Sequence, residues 1–320
     1  MRRPFRIALV GVAAIAVAGY GVASAVVWDR LTKVDGACHA EWLDNDRTGF
    51  SFPSVAVSPA DYAMPSPEEV AFPSRDAGIT ISGWWIPAAE PDAPAVVVVH
   101  GHTACKRDHA VLLPAGMLYR HGVSVLLIDL RDHGDSSDED GRYAGGTEEY
   151  RDALGAWDWL QSAQSIPADR IGLLGISLGA ATVLIASGEE PRVVATWEDS
   201  SYGDIRVAIR AELARNGYPQ FLEMGGVAMA RLLSGDDLTA RSPLDAVRAM
   251  TGRALFITHG TADGRLGVDF AHALIEAAEA AEVDLDSWIV PGAGHAEAMG
   301  LDPAGYEARL VAFFETALGR

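Results

Sequence analysis

Ile171-Gly172-Leu173-Leu174-Gly175-Ile176-Ser177-Leu178-Gly179-Ala180-Ala181-Thr182-Val183-Leu184-Ile185-Ala186 is the stretch on which the fold turns. Its opening residues form a short, uninterrupted apolar run of the length of a buried strand, and its closing residues carry no helix breaker. Between them, Gly175-Ile176-Ser177-Leu178-Gly179 leaves room only for a sharp turn with a serine at its apex. Glycines on both sides of the serine remove the side chains that would collide there. The turn exposes the hydroxyl and aims a helix N-terminus at it.

The flanking sequence repeats the same rhythm. Upstream, Val70-Ala71-Phe72, the turn Asp76-Ala77-Gly78 and residues 79–86 read as a hairpin. Residues 95–99 and 123–129 are continuous apolar runs, with a helix to about His121 between them. A helix over 147–161 leads into the serine strand. Strands over 193–197, 254–258 and 285–290 follow it, and Pro303 opens a final helix. Uninterrupted apolar strands alternating with amphipathic helices predict the α/β class, with a mostly parallel central sheet of about eight strands covered on both faces. Helical segments over 205–216 and 219–233 break the alternation. They predict a short helical cap within about 200–250, where a lid would sit over a site.

The N-terminal stretch is of another kind. Arg2, Arg3 and Arg6 precede an uncharged run over residues 7–28, closed by Asp29 and Arg30. About 20 apolar residues cross a bilayer as a helix, and basic residues mark the cytoplasmic end. The expected organisation is a membrane anchor over 1–30, a linker over 31–67 and a catalytic domain over 68–320. The catalytic domain then lies on the extracytoplasmic side of the cell membrane. A cleavable signal peptide is the alternative, with Ala23-Ser24-Ala25 as a small-x-small site and a secreted product. The apolar run exceeds the ~7–15 residues usual for a signal core, which favours the anchor.

Length and charge limit the function classes. The 320 residues fit one α/β domain with an N-terminal appendage. A net charge of −19 repels phosphate backbones and argues against a nucleic-acid partner. Cys38 and Cys105 are too few for a disulfide scaffold; outside the cytoplasm they can pair with each other, and otherwise they are two thiols. His100, His102 and His109 with Cys105 lack the spacing of a metal site, so neither metal nor organic cofactor is expected. No obligate protein partner is inferred.

A serine hydroxyl is a weak nucleophile at neutral pH and needs an imidazole to take its proton and a carboxylate to orient that imidazole. Behind the strand over 254–258 comes His259-Gly260-Thr261-Ala262-Asp263, and behind that over 285–290 comes Pro291-Gly292-Ala293-Gly294-His295. The chain order Ser177, Asp263, His295 is the one this strand–turn–helix serine requires. Asp199, at the end of the preceding strand, is the alternative acid. The oxyanion donors are expected to be the backbone N–H groups of Leu178 and of His102, in the loop after residues 95–99. Removing one such donor can cost about 2.7–4 kcal/mol in the transition state. His133, in Asp129-Leu130-Arg131-Asp132-His133-Gly134-Asp135-Ser136, is read as structural.

On these residues, together with His100-Gly101 and Gly294-His295, the chain resembles the α/β-hydrolase fold from about Glu68 to its C-terminus. Within that fold it is similar to serine aminopeptidase-like and esterase-like hydrolases that often carry an N-terminal membrane anchor. Two departures stand out: Asp263-Gly264-Arg265-Leu266 lacks the apolar residue and proline common after the acid, and the loop after His102 lacks a long glycine run. The resemblance implies acyl transfer to water through an acyl-serine, with a small ester as the first substrate class. A short peptide with a free amino terminus is the second, gripped by a carboxylate such as Glu198, Asp199 or Glu223. Transfer to an alcohol or sugar acceptor is a third variant of the same chemistry. A non-catalytic, membrane-tethered binding protein is the remaining alternative.

Overall fold

In the computed structural model, residues 3–34, 38, 50–51, 56–57 and 59–319 are described. The long helix α1 (Arg3–Thr32) comes first. The short strands β1 (Phe50–Ser51) and β2 (Ala56–Val57) pair with each other, and β3 (Glu68–Pro73) and β4 (Thr80–Ile86) form the expected hairpin. Then follow β5 (Ala95–Val99), α2 (His109–Arg120), β6 (Ser124–Ile128), α3 (Tyr150–Ala163), β7 (Ile171–Ile176), α4 (Leu178–Glu189) and β8 (Ala195–Asp199). After β8 come α5 (Ile205–Arg215), α6 (Leu222–Leu233) and α7 (Pro243–Arg248). The chain closes with β9 (Ala254–Gly260), α8 (Asp269–Ala280), β10 (Asp284–Val290), α9 (Ala298–Leu301) and α10 (Pro303–Ala317).

Eight strands form one sheet in the order β10-β9-β8-β7-β5-β6-β4-β3. Only the β3–β4 and β4–β6 pairings are antiparallel. All five residues of β5 and of β6 are buried, which is why both read as unbroken apolar runs. Side chains of a strand alternate between faces, so Val96 and Val98 enter the core under α2 and α10, while Ala95, Val97 and Val99 enter that under α3 and α4. Strand β5 lies between β6 and β7; the connection after β5 runs to β6 on one side and that after β7 runs to β8 on the other, which opens a crevice at the carboxyl ends of β5 and β7. The chain has the α/β-hydrolase fold.

The segment between β8 and β9 divides. Helix α7 packs on α4, where the backbone of Gly188 approaches Ala246, and so belongs to the cover of the sheet. Helices α5 and α6 build the cap. The last turns of α1 join them: Val27 shares a buried cluster with Tyr202, Ile205, Ile209, Leu222, Val227 and Leu266, and Leu31 packs against it. Arg142 fastens this end of α1, donating to Asp29 at 2.7 Å and Thr32 at 3.0 Å while its guanidinium lies 3.6 Å from the Trp28 ring centre. The expected linker over 31–67 is therefore pinned at its beginning, where the Val34 N–H also donates to Gly141 O. Tyr62 anchors its far end against Gly116 of α2. Residues 35–37, 39–49, 52–55 and 58 of that segment lie outside the described residues.

Candidate active site

Ser177 sits between β7 and α4 with φ 57° and ψ −114°, a conformation that costs a residue with a side chain about 1–3 kcal/mol. Neighbouring strands hold it there: the Ser177 N–H donates to the Asp199 carbonyl at 2.8 Å. The flanking glycines are required by close approach. A Cβ on Gly179 would stand 2.2 Å from Val99 O, and one on Gly175 would stand 2.1 Å from Gly179 O.

The loops after β9 and β10 bring their residues to this serine. His295 Nε2 lies 2.8 Å from Ser177 Oγ, and His295 Nδ1 lies 2.7 Å from Asp263 Oδ2. With Nδ1–H donating to the carboxylate, Nε2 is left free to accept the serine proton. Asp263 is seated by the N–H groups of Arg265 and Leu266, both 2.8 Å from Oδ1. These are the residues that depart from the relatives' pattern, and they hold the acid through their backbone. Burial opposes ionisation of Asp263, but the adjacent His259 and His295 rings and the Leu266 N–H hold its carboxyl well below the usual range.

Sequence reasoning passed over His259 as a residue near the acid. Its Nε2 donates to Leu266 O at 2.7 Å and lies 3.3 Å from Asp263 Oδ2. Burial pulls its basicity down, while Asp263 and Glu198 push it up to about 9. Its only sequence signal is the i, i+4 spacing to Asp263.

The alternative acid does not meet His295. Asp199 accepts from Ser200 Oγ at 2.8 Å and from Tyr306 OH at 3.0 Å, and burial pushes its carboxyl up to about 6. Ser200 Oγ in turn accepts the N–H of Ala296, so Asp199 braces the loop that carries His295. Glu198 is buried, accepts from the Ser201 N–H, and is pushed by burial up to about 8. Glu223 is buried and paired with Arg206 and Arg210.

Leu178 is the first residue of α4, where helix N–H groups lack intrahelical partners. The other expected donor lies in the loop after β5, whose Gly101 passes so close that a Cβ would stand 3.2 Å from Ser177 Cβ. Two cavities meet here, and Ser177, His102 and Arg265 line both. One, of about 60 Å³, is walled by Leu31, Tyr143, Tyr202, Ile205 and Ile209. The other, of about 250 Å³, runs past His295, His109 and Glu297.

His100, His102 and His133 pack beside one another near Ser177. Leu130 N–H donates to His100 Nε2, and burial lowers His100 to about 3. Burial likewise lowers His102 to about 3, its ring packed 4.3 Å from that of Tyr143. His133 is buried with its Nδ1 on Arg131 O. Cys105 is joined to Cys38 in a disulfide with a Cα separation of 5.6 Å.

The model of the prolyl oligopeptidase family, Peptidase_S9, matches residues 115–320, well over half of the chain. An uncharacterized 31.7 kDa protein of Escherichia coli is 27% identical over 139 residues, which are 43% of this chain and 47% of that protein. A polyketide transferase of Aspergillus fumigatus is 35% identical over 131 residues, 39% of this chain and 42% of that one. The chain thus spans less than half the length of these curated relatives. Among solved structures, an esterase of Pyrococcus furiosus superposes with a TM-score of 0.64 and 19% identity, covering 84% of this chain and 97% of the esterase. At that identity the likeness speaks to the fold.

Proposed function

The chain belongs to the prolyl oligopeptidase family and is a serine hydrolase of the α/β-hydrolase fold, and on that premise we propose that it cleaves carboxylic esters through an acyl-Ser177 intermediate. His295 Nε2 takes the Ser177 proton as Oγ attacks the ester carbonyl, and the oxyanion forms against the N–H groups of Leu178 and His102. Collapse of the tetrahedral adduct breaks the bond to the alkoxy oxygen, which leaves with the proton from His295. Water, deprotonated by the same imidazole, then releases the acid. Asp263 orients His295 and stabilises its cationic form.

The observation that carries esters ahead of peptides is the state of the carboxylates. A substrate ammonium needs an accessible carboxylate, whereas Glu198 and Asp199 are buried among their own partners and Glu223 is closed by two arginines. Glu212 favours the aminopeptidase reading, because it lines the smaller cavity. A panel of p-nitrophenyl esters run beside aminoacyl-nitroanilides tests the choice: turnover confined to the anilides overturns the ester reading. Absence of a Ser177-dependent fluorophosphonate adduct in folded protein overturns the hydrolase mechanism as a whole.

Helix α1 is proposed as an uncleaved anchor with the catalytic domain outside the cytoplasm. It is apolar over Val10–Thr32, with a mean hydropathy of 2.1. Cleavage after Ala25 would cut between Ser24 and Val27, both buried against the rest of the protein. The Cys38–Cys105 disulfide suits an oxidising compartment. Fractionation of intact cells tests this; a soluble chain beginning near Val26 would overturn it.

A further inference from the structure

We propose that cap helix α6 is itself seated in the outer leaflet of the bilayer, beside α1, so that the cap over Ser177 is a membrane-embedded element. This rests on the anchor reading above and extends it from one helix to a surface. The first observation is where the exposed apolar side chains are. Among the described residues, every large hydrophobic side chain left exposed belongs either to α1 or to the stretch 207–233 of the cap. The rest of the domain exposes none of them.

Helix α6 is apolar on both of its faces. Leu222, Val227 and Ala230 are buried in the cap core, while Phe221, at its N-terminus, Met224 and Leu232 point outward at 64%, 65% and 73% exposure. A helix that is apolar all round belongs in a protein core or in lipid. Its two charges do not offset this: Glu223 is buried and paired with Arg206 and Arg210, and Arg231 is paired with Asp237.

The packing of α6 on α1 sets its depth. The Tyr20 ring stacks on Phe221 at 6.1 Å, and its hydroxyl donates to Phe221 O. Gly225 and Gly226 let the helices close: a Cβ on Gly225 would lie 1.9 Å from Ser24 Oγ, and one on Gly226 would lie 3.0 Å from Val27. The uncharged run over residues 7–28 is about 33 Å long at ~1.5 Å per residue, against a hydrocarbon core of about 30 Å. There is no slack, so Tyr20, Ser24 and Val27 must lie in the outer part of the core. Whatever packs along them descends with them. Charge agrees: residues 204–241 hold five acidic and five basic side chains, so the cap is neutral in a chain of net charge −19. A neutral, apolar surface at that depth fits lipid.

The test uses the full chain in phosphatidylcholine proteoliposomes, with single environment-sensitive fluorophores on Ile15→Cys, Met224→Cys or Glu276→Cys. Shallow doxyl-labelled lipid should remove about half or more of the emission from position 224, and iodide should do so only at position 276. Leu232→Cys serves as a second cap position should Met224→Cys fail to fold. Position 15 separates the two readings. Quenching by lipid at 15 together with quenching by iodide at 224 and 232 overturns the seated cap and leaves the anchor standing. Iodide quenching at 15 removes the anchor, and the seated cap with it. Crosslinking of position 224 to a second copy, with no lipid quenching, assigns the surface to a dimer and overturns the proposal.

Discussion

Leu31, in the last turn of the apolar N-terminal helix, and Ser177, at the apex of the strand–helix turn, line the same cavity. The helix that looks like a detachable leader therefore supplies a wall of the candidate active site. At about 60 Å³ the cavity is the smaller of the two that meet at Ser177, the other being about 250 Å³. Esters of short acyl groups should be preferred, and Leu31→Ala should shift the optimum to longer chains. The expected change is about tenfold or more in kcat/KM for the first chain length that wild type rejects, measured across a p-nitrophenyl ester series. An unchanged profile would separate Leu31 from the acyl site.

Ser177→Ala should lower kcat by about 10⁴-fold or more and abolish fluorophosphonate labelling. His295→Ala should cost a similar factor. The double variant should lose little beyond either one, because the 2.8 Å contact between Nε2 and Oγ makes the two a unit.

Asp263 and Asp199 can be separated by the same substitution. Asp263→Asn presents a donor or a weaker acceptor to His295 Nδ1 and should cost about 10⁴-fold in kcat. Asp199→Asn disturbs the bonds to Ser200 and Tyr306 instead. It should mainly lower the melting temperature. A larger kcat loss for Asp199→Asn than for Asp263→Asn would reverse the assignment.

Glu148 should impose a pH-dependent penalty on stability. Burial, followed by the nearby charges of Asp236, Glu149 and Glu139, raises its carboxyl to about 7. Because the folded value lies above the unfolded one, its stabilising contribution is complete below the unfolded value near ~4.3 and is lost as pH rises toward 7. Glu148→Gln removes that loss. Thermal unfolding should show the variant gaining on wild type between about pH 5 and pH 8, by about 1 kcal/mol after screening of this part-exposed group. A gap that does not change with pH would contradict the assignment.

Gly179→Ala should prevent folding or cost several kcal/mol, since the added Cβ would meet Val99 O and His100 O. Gly264→Ala, with nothing within 4 Å, is the matched control and should fall within about 0.5 kcal/mol of wild type. Denaturant midpoints measure both.

Much of the site was legible in the sequence because its signals are local. A strand that ends in a glycine-flanked serine needs only its neighbours to be recognised, and the loops holding Asp263 and His295 are marked by glycines at strand ends. The apolar runs at 95–99 and 123–129 announced a sheet covered on both sides for the same reason: burial on two faces leaves no polar position in the strand. Their alternation with helices specified a parallel order. The length of the residue 7–28 run against a bilayer was likewise a property of the chain alone.

Tertiary structure decided what depends on contacts between distant segments. Which of Asp263 and Asp199 stands beside His295 Nδ1 turned on how the folded loops present their carboxylates, and both had suitable positions along the chain. The service of His259 to Asp263 needed the fold of the loop that returns Leu266 O to its ring. The close seating of α6 on α1 rests on glycines that look unremarkable in sequence, because what they permit is the approach of a helix some 200 residues away. Strand, turn and helix are set by nearest neighbours along the chain. Which wall a cavity has, and which acid a histidine meets, is set by packing.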